Sequence, residues 1–210
     1  MKRIMIVEDD PMASQLLEIY IKEHKEYELV CNIESASMAE VYCLSQNIDL
    51  ILMDVCTAMN ASGLDAAEKI KKNFPHIKIV IITSQPECSF IDRARQVGVD
   101  SFWYKSSKAE EIITVIEKTF AGENIYPDTT PTLVFGDALS VDLSDRELEV
   151  LRELVAGETD ADIAEHLFMS VRTVKSHITN MKNKTGFKNR TELAVRAREC
   201  GLIINDKHQE

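Results

Sequence analysis

A short apolar run that ends in a carboxylate constrains the fold of this chain more than any other feature. Residues 50–55 read LILMDV, and a loop from Cys56 to Ser62 follows. A continuous apolar run of this length is typical of a strand that is buried on both faces of a parallel sheet. Asp54 would then lie at the carboxyl end of that strand, where open α/β sheets place their ligand sites. Because an unpaired buried charge is costly, we expect Asp54 to have a function.

Four further strand-like runs in the first 120 residues alternate with helix signals. Such alternation predicts βαβ units and a parallel sheet with helices on both faces. Five strands and five helices in strict order favour the flavodoxin-like (βα)5 arrangement. Because the carboxyl ends of parallel strands meet at one edge of a sheet, we expect a single crevice there. Its polar side chains would be Glu8, Asp9, Asp54, Thr83 and Lys105.

Caps and apolar spacing predict the helices of this first part. Asp10-Pro11 is typical of a helix start, the second helix is predicted over residues 37–45, and a Ser107-x-x-Glu110 capping box is expected to open the fifth. The apolar positions predicted for the first two helices are Leu16, Leu17, Ile19 and Tyr20, followed by Met38, Val41, Tyr42 and Leu44.

Charge is distributed unevenly along the chain. The protein has 35 acidic and 24 basic residues, yet residues 168–198 contain eight Lys or Arg and a single acid, Glu192. A basic segment in an acidic protein favours a polyanionic partner, although a solvated basic helix would give the same composition. Five scattered cysteines without CxxC spacing indicate a reducing compartment and no zinc site. With no leader and no long apolar run, we expect a cytoplasmic protein without a membrane partner.

The pattern of elements changes after residue 122. Residues 123–140 contain Pro127, Pro131 and Gly136 and are predicted to form a linker without strand signals. From residue 141 to about 205 only helical periodicity is found, and two short helices followed by a basic one predict a helix-turn-helix. We therefore expect an α/β domain over 1–122 and an all-α four-helix domain over 141–205. The expected N-caps of the four helices are Ser144, Thr159, Ser170 and Asn189.

The side chains expected at the sheet edge suit a divalent cation. Glu8, Asp9 and Asp54 would repel one another, and a hard cation with oxygen ligands relieves that repulsion. Mg²⁺ fits because it keeps several waters and needs only one or two direct carboxylates. A carboxylate beside Mg²⁺ can attack phosphorus, with Lys105 as a second positive charge and Thr83 as a hydrogen-bond donor to the product. Each residue also has an ordinary interpretation: a helix cap, an exposed lysine, a threonine at a strand end.

The segments IMIVEDDP, DLILMDV, IVIITS and SFWYK together resemble the receiver domain of two-component response regulators. The resemblance implies that Asp54 accepts a phosphoryl group from a sensor histidine kinase. It also implies that Asp9 and the backbone carbonyl of Cys56 bind Mg²⁺ and that Glu8 reaches the metal through water. The residues that would respond to the phosphoryl group are Thr83, Phe102 and Lys105.

The loop after Asp54 departs from the receiver pattern. Thr57-Ala58 stands where Met-Pro is usual, and Gly63 comes one residue later than in the commonest pattern. The loop therefore contains one inserted residue, which affects its shape and the lifetime of the phosphoryl group more than the site itself.

The segments LSDRELEVL, ADIAEHL and TVKSH resemble the LuxR-type helix-turn-helix and, with the receiver, the NarL/FixJ family. The predicted helix from Val171 to Thr185 would span roughly 22 Å and could lie in a major groove. Val174, Ile178 and Met181 recur on one face and should be buried. By position in the family motif, Lys175, Ser176 and Thr179 are the candidates for base edges. The candidates for phosphate contacts are Arg172, Thr173, Lys182, Lys184, Lys188 and Arg190.

These expectations describe a transcription factor that is controlled by phosphorylation. Phosphorylation would favour a homodimer that presents two recognition helices to double-stranded DNA, and the unphosphorylated protein would hide them. The enzyme alternative is a phosphohydrolase of the haloacid-dehalogenase type, but such enzymes need a second acid two residues after the nucleophile, where this chain has Cys56. We expect no enzyme activity beyond phosphoryl transfer to, and hydrolysis from, Asp54. A third possibility is a degenerate receiver that is switched by dimerisation or by a partner.

Overall fold

The computed structural model of the chain describes residues 1–87, 89–105, 110–128 and 130–203. The described residues form two compact units, residues 1–84 with 89–128 and residues 130–203 with 85–87. We call them the α/β unit and the helical unit. In the described part of the chain, no helix combines the length and the apolar character that a bilayer span requires.

The α/β unit is built on a five-stranded sheet in which every strand pair is parallel. The strand order is β2-β1-β3-β6-β7, as expected for a flavodoxin-like fold. The central strand β3 is buried along its whole length, which is why its sequence is apolar up to Asp54. The strands of this sheet are β1 (Lys2–Val7), β2 (Tyr27–Ile33), β3 (Leu50–Asp54), β6 (Lys78–Thr83) and β7 (Ser101–Tyr104).

In the described residues, four helices connect these strands and a fifth follows the last of them. Asp10 caps the first of these helices, as predicted, by accepting hydrogen bonds from the N–H groups of Met12 and Ala13. The predicted cap of the fifth helix at Ser107 lies outside the described residues. The helices are α1 (Pro11–Glu23), α2 (Ala39–Ser45), α3 (Gly63–Asn73), α4 (Ser89–Val97) and α5 (Glu110–Phe120).

The apolar positions of the first two helices were predicted only in part. Leu17 and Ile21 are buried in α1, whereas Leu16 and Ile19 are each 46% exposed. α1 buries only the ridge of Ser14, Leu17 and Ile21, which is narrower than the stripe that the spacing of apolar residues selected. Residues 36–38 form a short 3₁₀ helix before α2, and α2 buries Ala39 and Cys43, which leaves the following side chains exposed: Met38, Val41 and Leu44.

The helical unit contains four helices with the predicted caps. Ser144, Thr159, Ser170 and Asn189 each accept a hydrogen bond from the N–H group three residues later. Val174, Ile178 and Met181 are buried, as their spacing predicted. The helices are α6 (Asp145–Val155), α7 (Asp160–His166), α8 (Val171–Thr185) and α9 (Arg190–Glu199).

Two small hairpins were not predicted. One joins β4 (Cys56–Thr57) to β5 (Ala61–Ser62) directly after the central strand. The other joins β8 (Val134–Phe135) to β9 (Ala138–Leu139) and lies within residues 123–140, which the sequence indicated to be a linker without strands. We call residues 134–139 the linker hairpin. Strands of two residues are too short to give a periodic signal, so the sequence analysis could not detect either one.

Candidate functional site

The carboxyl ends of β1 and β3 bring three carboxylates together. Glu8 and Asp9 follow β1, and Asp54 is the last residue of β3. One oxygen of each carboxylate lies within 4.8 Å of the others. Glu8 and Asp54 are buried and Asp9 is exposed. The sheet therefore places the acids predicted for the cation site in one cluster that opens to solvent on the Asp9 side.

Lys105 reaches the same cluster from the end of β7. Its Nζ lies 2.8 Å from Oδ2 of Asp54 and 2.6 Å from Oε2 of Glu8. The Lys105 backbone N–H donates to the carbonyl of Thr83, which ends the neighbouring strand β6. Thr83 is fully buried. The edge of the sheet thus gathers all five predicted polar side chains at the ends of four strands.

Burial and charge shift the pKa values of these groups. Burial, reinforced by the charge of Asp54, raises the pKa of Glu8 to about 7, although Lys105 opposes the shift. Burial also raises the pKa of Asp54, again against the effect of Lys105. Burial by itself would lower the pKa of Lys105, but the two carboxylates more than compensate and raise it. Ionising all three carboxyl groups beside a single ammonium group is therefore costly, and a bound cation would lower that cost.

The donor set fits Mg²⁺. It consists of carboxylate oxygens, which hard divalent cations prefer, and the exposed Asp9 leaves room for the waters that Mg²⁺ retains. Cys56 follows Asp54 by two residues and lies in β4, and coordination by its carbonyl stays a prediction. A second group of metal-type side chains, Glu153, Glu158 and His166, occurs in the helical unit. There, Nδ1 of His166 lies 2.9 Å from Oε2 of Glu153, so the imidazole of His166 already pairs with the buried carboxylate of Glu153.

Helix α8 presents the predicted DNA-contacting side chains on one surface. Arg172, Thr173, Lys175, Ser176 and Thr179 are exposed. Four of these residues line a shallow depression that also includes two residues the sequence analysis did not name, Val171 and Asn180. The prediction took its candidates from positions in the family motif, and Asn180, which follows Thr179 directly, was not among them.

The remaining predicted phosphate contacts lie in different surroundings. Lys188 is exposed and Lys182 is partly buried. Nζ of Lys184 lies 2.8 Å from Oε2 of Glu147 and also donates to the carbonyl of Asp142. The Arg190 guanidinium donates to the Asp160 carboxylate and to the carbonyl of Glu158. Lys184 and Arg190 therefore make contacts that stabilise the helical unit, in addition to any contact with DNA.

Two family models match the chain. The response regulator receiver domain matches residues 4–117, and the luxR family of bacterial regulatory proteins matches residues 141–197. The receiver match spans more than half of the chain. The chain belongs to the response regulators. Its α/β unit is a receiver domain, and its helical unit is a LuxR-type DNA-binding domain, in which we predict α8 to be the recognition helix.

Relatives with the same two parts cover nearly the whole chain. The response regulator protein VraR of Staphylococcus epidermidis is 29% identical over 206 residues, which is 96% of this chain and 98% of VraR. VraR of Staphylococcus aureus is 29% identical over 208 residues, with the same coverage of 96% and 98%. A structure of RcsB from Salmonella enterica serovar Typhimurium, bound to promoter rprA with phosphomimetic BeF₃⁻, superposes with a TM-score of 0.62 at 17% identity and covers 93% of this chain and 98% of RcsB. At that identity the likeness shows the fold.

The loop after Asp54 forms the β4–β5 hairpin, whose tip residues Met59 and Asn60 adopt positive φ angles of 62° and 54°. That this loop contains one inserted residue stays a prediction. The Thr57 hydroxyl accepts from the N–H of Ala36 and donates to the carbonyl of Ala61. Thr57, which replaces the usual methionine, thus ties the loop to the segment after β2 and fixes its shape.

Gly63 lies against the backbone of Asp54. A Cβ atom on this residue would be 1.8 Å from the carbonyl oxygen of Asp54 and 2.9 Å from Cγ of Met53. The N–H of Gly63 donates to the carbonyl of Val55. Only glycine allows α3 to start so close to the end of β3. The sequence analysis noted the shifted position of Gly63 but not this contact.

The predicted switch aromatic, Phe102, is 1% exposed. Its ring stacks on that of Tyr126 with centroids 6.4 Å apart, and its N–H donates to the carbonyl of Ile125. The Tyr126 hydroxyl donates to the carbonyl of Val99. The segment after α5 therefore lies along the outer edge of β7. No sequence signal marked Tyr126, because the contact joins a strand to a residue of the predicted linker.

Proposed function

We propose that Asp54 is the phospho-acceptor of this response regulator and that its phosphorylation controls dimerisation and sequence-specific DNA binding. The observation that carries the proposal is the convergence of Glu8, Asp9, Asp54 and the Lys105 ammonium at one edge of the sheet. The same atoms account for attack on phosphorus, charge compensation and release of the signal.

The phosphoryl donor would be a phosphohistidine of a sensor kinase. A carboxylate oxygen of Asp54 attacks phosphorus, the P–O bond forms, and the P–N bond breaks. The kinase imidazole leaves and takes up a proton. Hydrolysis of the acyl phosphate by water restores the Asp54 carboxylate, which ends the signal without a separate enzyme.

Glu8, Asp9 and Asp54 would hold Mg²⁺, together with the carbonyl of Cys56. When bound, the ion neutralises charge on the phosphoryl oxygens and so lowers the repulsion that a carboxylate nucleophile meets. Lys105 contributes charge of the same sign from the opposite strand. Loss of the Asp54 charge on phosphorylation frees Lys105 to pair with the phosphoryl group, and Thr83 and Phe102 would adjust to it.

Trp103 offers a direct test of the cation site. It is the only tryptophan of the chain and is buried in the strand that carries Lys105. Titration with MgCl₂ should change its fluorescence, and Asp9→Asn should weaken that response at least tenfold, since a carboxylate ligand becomes a neutral amide. Asp92→Asn, an exposed carboxyl of α4, is the matched control and should titrate as the wild type. Equal titrations of all three proteins would remove Asp9 from the site.

The output would be DNA binding by α8. Exposure of Lys175, Ser176 and Thr179 supports their assignment to base edges. The phosphate contacts would come from Arg172, Thr173, Lys182 and Lys188, with Lys184 and Arg190 also near the backbone. The proposed partners, a sensor kinase and chromosomal DNA, place the protein in the cytoplasm. A homodimer would present two copies of α8 to a repeated half-site.

The decisive experiment compares the wild type, Asp54→Ala and Asp92→Ala before and after treatment with acetyl phosphate and Mg²⁺. We expect one phosphate per chain and a rise in DNA affinity for the wild type and Asp92→Ala, and neither for Asp54→Ala. Phosphate on Asp54→Ala would place the acceptor elsewhere. Incorporation without any change in DNA affinity or association state would favour a receiver that is uncoupled from the output, and no incorporation would favour one that is switched by a partner.

A further inference from the structure

The linker hairpin contacts the end of the recognition helix. The N–H of Asp137, at its turn, donates to the carbonyl of Thr185, the last residue of α8, at 3.0 Å. The Phe135 ring meets that of Phe187 edge to face, with centroids 5.1 Å apart, and Phe135 is 1% exposed. The last carbonyls of a helix have no partner within the helix. The hairpin supplies one of these missing partners.

Two glycines make this contact possible. A Cβ atom on Gly136 would be 2.1 Å from the carbonyl oxygen of Thr185, and one on Gly186 would be 2.3 Å from Oδ2 of Asp137. Each glycine belongs to one element and faces the other. Both have positive φ angles, 66° and 75°, which their tight turns require. A side chain on Gly136 would therefore collide with the backbone at the end of α8, whereas one on Gly186 would displace the Asp137 carboxylate.

The segment that follows the hairpin contacts the same turn of α8. Ser140 closes the base of the hairpin, since its N–H donates to the carbonyl of Leu133 and its hydroxyl accepts from the Leu133 N–H. The carbonyl of Asp142 accepts from Nζ of Lys184. Residues 133–142 thus hold Lys184 and Thr185 at two separate points. This is more than a flexible tether needs.

We propose that the linker hairpin is a positioning element for DNA recognition, which rests on the proposed function of α8. The proposed base-contacting residues lie six to ten residues before Thr185, roughly 9–15 Å along the helix axis. A small change in the direction of the helix displaces Lys175 and Thr179 in proportion to their distance from Thr185, and contacts to base edges tolerate less displacement than contacts to phosphates. The hairpin therefore affects sequence preference more than overall affinity.

The test uses Gly136→Ala and Gly157→Ala in the full-length protein. Both glycines lie in the helical unit and have positive φ angles, 66° and 91°, so alanine is strained at either. An added Cβ on Gly157 meets no atom within 4 Å, whereas one on Gly136 collides with the carbonyl of Thr185. The two variants share the strain and differ in the collision. Circular dichroism and thermal unfolding report the folded fraction of each.

Binding is measured on duplexes enriched by the wild type from a random-sequence pool, and on the unselected pool. For folded Gly136→Ala we expect the ratio of selected to unselected affinity to fall roughly tenfold or more, with binding to the unselected pool little changed. Gly157→Ala should keep the wild-type ratio. An unchanged ratio in Gly136→Ala, or an equal loss in both variants, overturns the proposal. A wild type that binds no duplex contradicts the proposed function instead.

Two substitutions of Phe135 test the proposal if Gly136→Ala does not fold. Phe135→Leu keeps an apolar side chain in the buried position but loses the edge-to-face contact with Phe187. It should lower the same ratio by a smaller factor, and Phe135→Met should behave in the same way. If both variants fold and keep the wild-type ratio, the hairpin has a purely structural role and the proposal is wrong.

Discussion

The receiver edge and the recognition helix arrange their charges in opposite ways. At the edge, Glu8 and Asp54 are buried, and Lys105 lies 2.6 and 2.8 Å from their carboxylates. Along α8, the polar side chains from Arg172 to Thr179 are mostly exposed and separated. Buried charges depend on one another because water cannot compensate them, whereas exposed charges act singly and are screened by salt. A single substitution should therefore abolish the function of the receiver edge, whereas a single substitution on α8 should only weaken its function.

The largest effect is expected from Gly63→Ala. The new methyl group would collide with the carbonyl of Asp54, so α3 or the end of β3 must move, at a cost of about 3 kcal/mol or more in the free energy of unfolding. Phosphate incorporation from acetyl phosphate should be lost as well. Gly98→Ala is the control, since its φ is +81° and no atom lies within 4 Å of an added Cβ. If Gly63→Ala is as stable as Gly98→Ala, the receiver edge and α8 differ less in their sensitivity to substitution than proposed.

Asp100→Asn tests whether burial alone, away from the cluster around Asp54, gives a large effect. The Asp100 carboxylate accepts from Nζ of Lys71 at 2.5 Å, from Nζ of Lys78 at 2.9 Å and from the N–H of Ile79 at 2.9 Å. Removing its charge should cost about 3 kcal/mol at neutral pH. Urea unfolding followed by Trp103 fluorescence measures this. The exposed variant Asp92→Asn should stay within about 0.5 kcal/mol of the wild type.

The contribution of Asp100 to stability should also depend on pH. Burial would raise the pKa of Asp100, but Lys71, Lys78 and the Ile79 N–H more than offset it, so the pKa lies below its ordinary value of 3.8. Because the folded-state pKa is lower than the unfolded one, the stabilisation is complete above about pH 4 and is lost as the pH falls through the folded-state pKa. The stability difference between wild type and Asp100→Asn should therefore shrink below that pH. A difference that stays constant down to pH 3 would contradict it.

Substitutions on the recognition helix should give smaller and separable effects. Lys175→Ala is expected to lower the affinity for selected duplexes by about 1–3 kcal/mol and to relax sequence preference, whereas Lys188→Ala should weaken binding to all sequences alike and reduce the salt slope by about one. Fluorescence anisotropy at several salt concentrations distinguishes the two. Equal losses on selected and random duplexes from both variants would refute the assignment.

Lys184→Gln should give the smallest change. Lys184 differs from the exposed polar residues of α8 because its charge is paired within the helical unit. Its ammonium pairs with Glu147, which is 3% exposed. Without it, Glu147 keeps only its bonds to Ser144, and the helical unit should lose about 1 kcal/mol of stability. Thermal unfolding followed by circular dichroism measures this, with Lys188→Gln as the control of unchanged stability. If Lys184→Gln is as stable as the control but lowers the salt slope, Lys184 serves DNA rather than the fold.

The parts of the structure that the sequence predicted are those with a periodic or capped pattern. The parallel sheet followed from continuous apolar runs that end in polar residues, and the helices of the second unit followed from Ser144, Thr159, Ser170 and Asn189. The cluster of polar side chains at the edge of the sheet was predictable because parallel strands bring their carboxyl ends together, independently of the loops between them. The helix-turn-helix surface followed from the burial of Val174, Ile178 and Met181, which leaves the opposite face to solvent.

The parts that the sequence did not predict depend on contacts between residues far apart in the chain. The exposure of Leu16 and Ile19 depends on how α1 lies on the sheet. The linker hairpin depends on two glycines, at 136 and 186, that are ordinary turn residues in isolation and acquire their role only from the element each one faces. Tyr126 follows the same rule, since its partner Phe102 is 24 residues earlier.

The strip of chain after α5 also limits how two receivers can associate. β7 is the last strand of the sheet on its side, and such a strand normally offers unpaired N–H and C=O groups to which another chain can add. Here the Phe102 N–H is already bonded to Ile125, and Tyr126 covers the ring beside it. Growth of the sheet by strand addition is therefore blocked at this border. A second copy of the receiver could add a strand only at the opposite border, β2, and would otherwise attach through helices or loops.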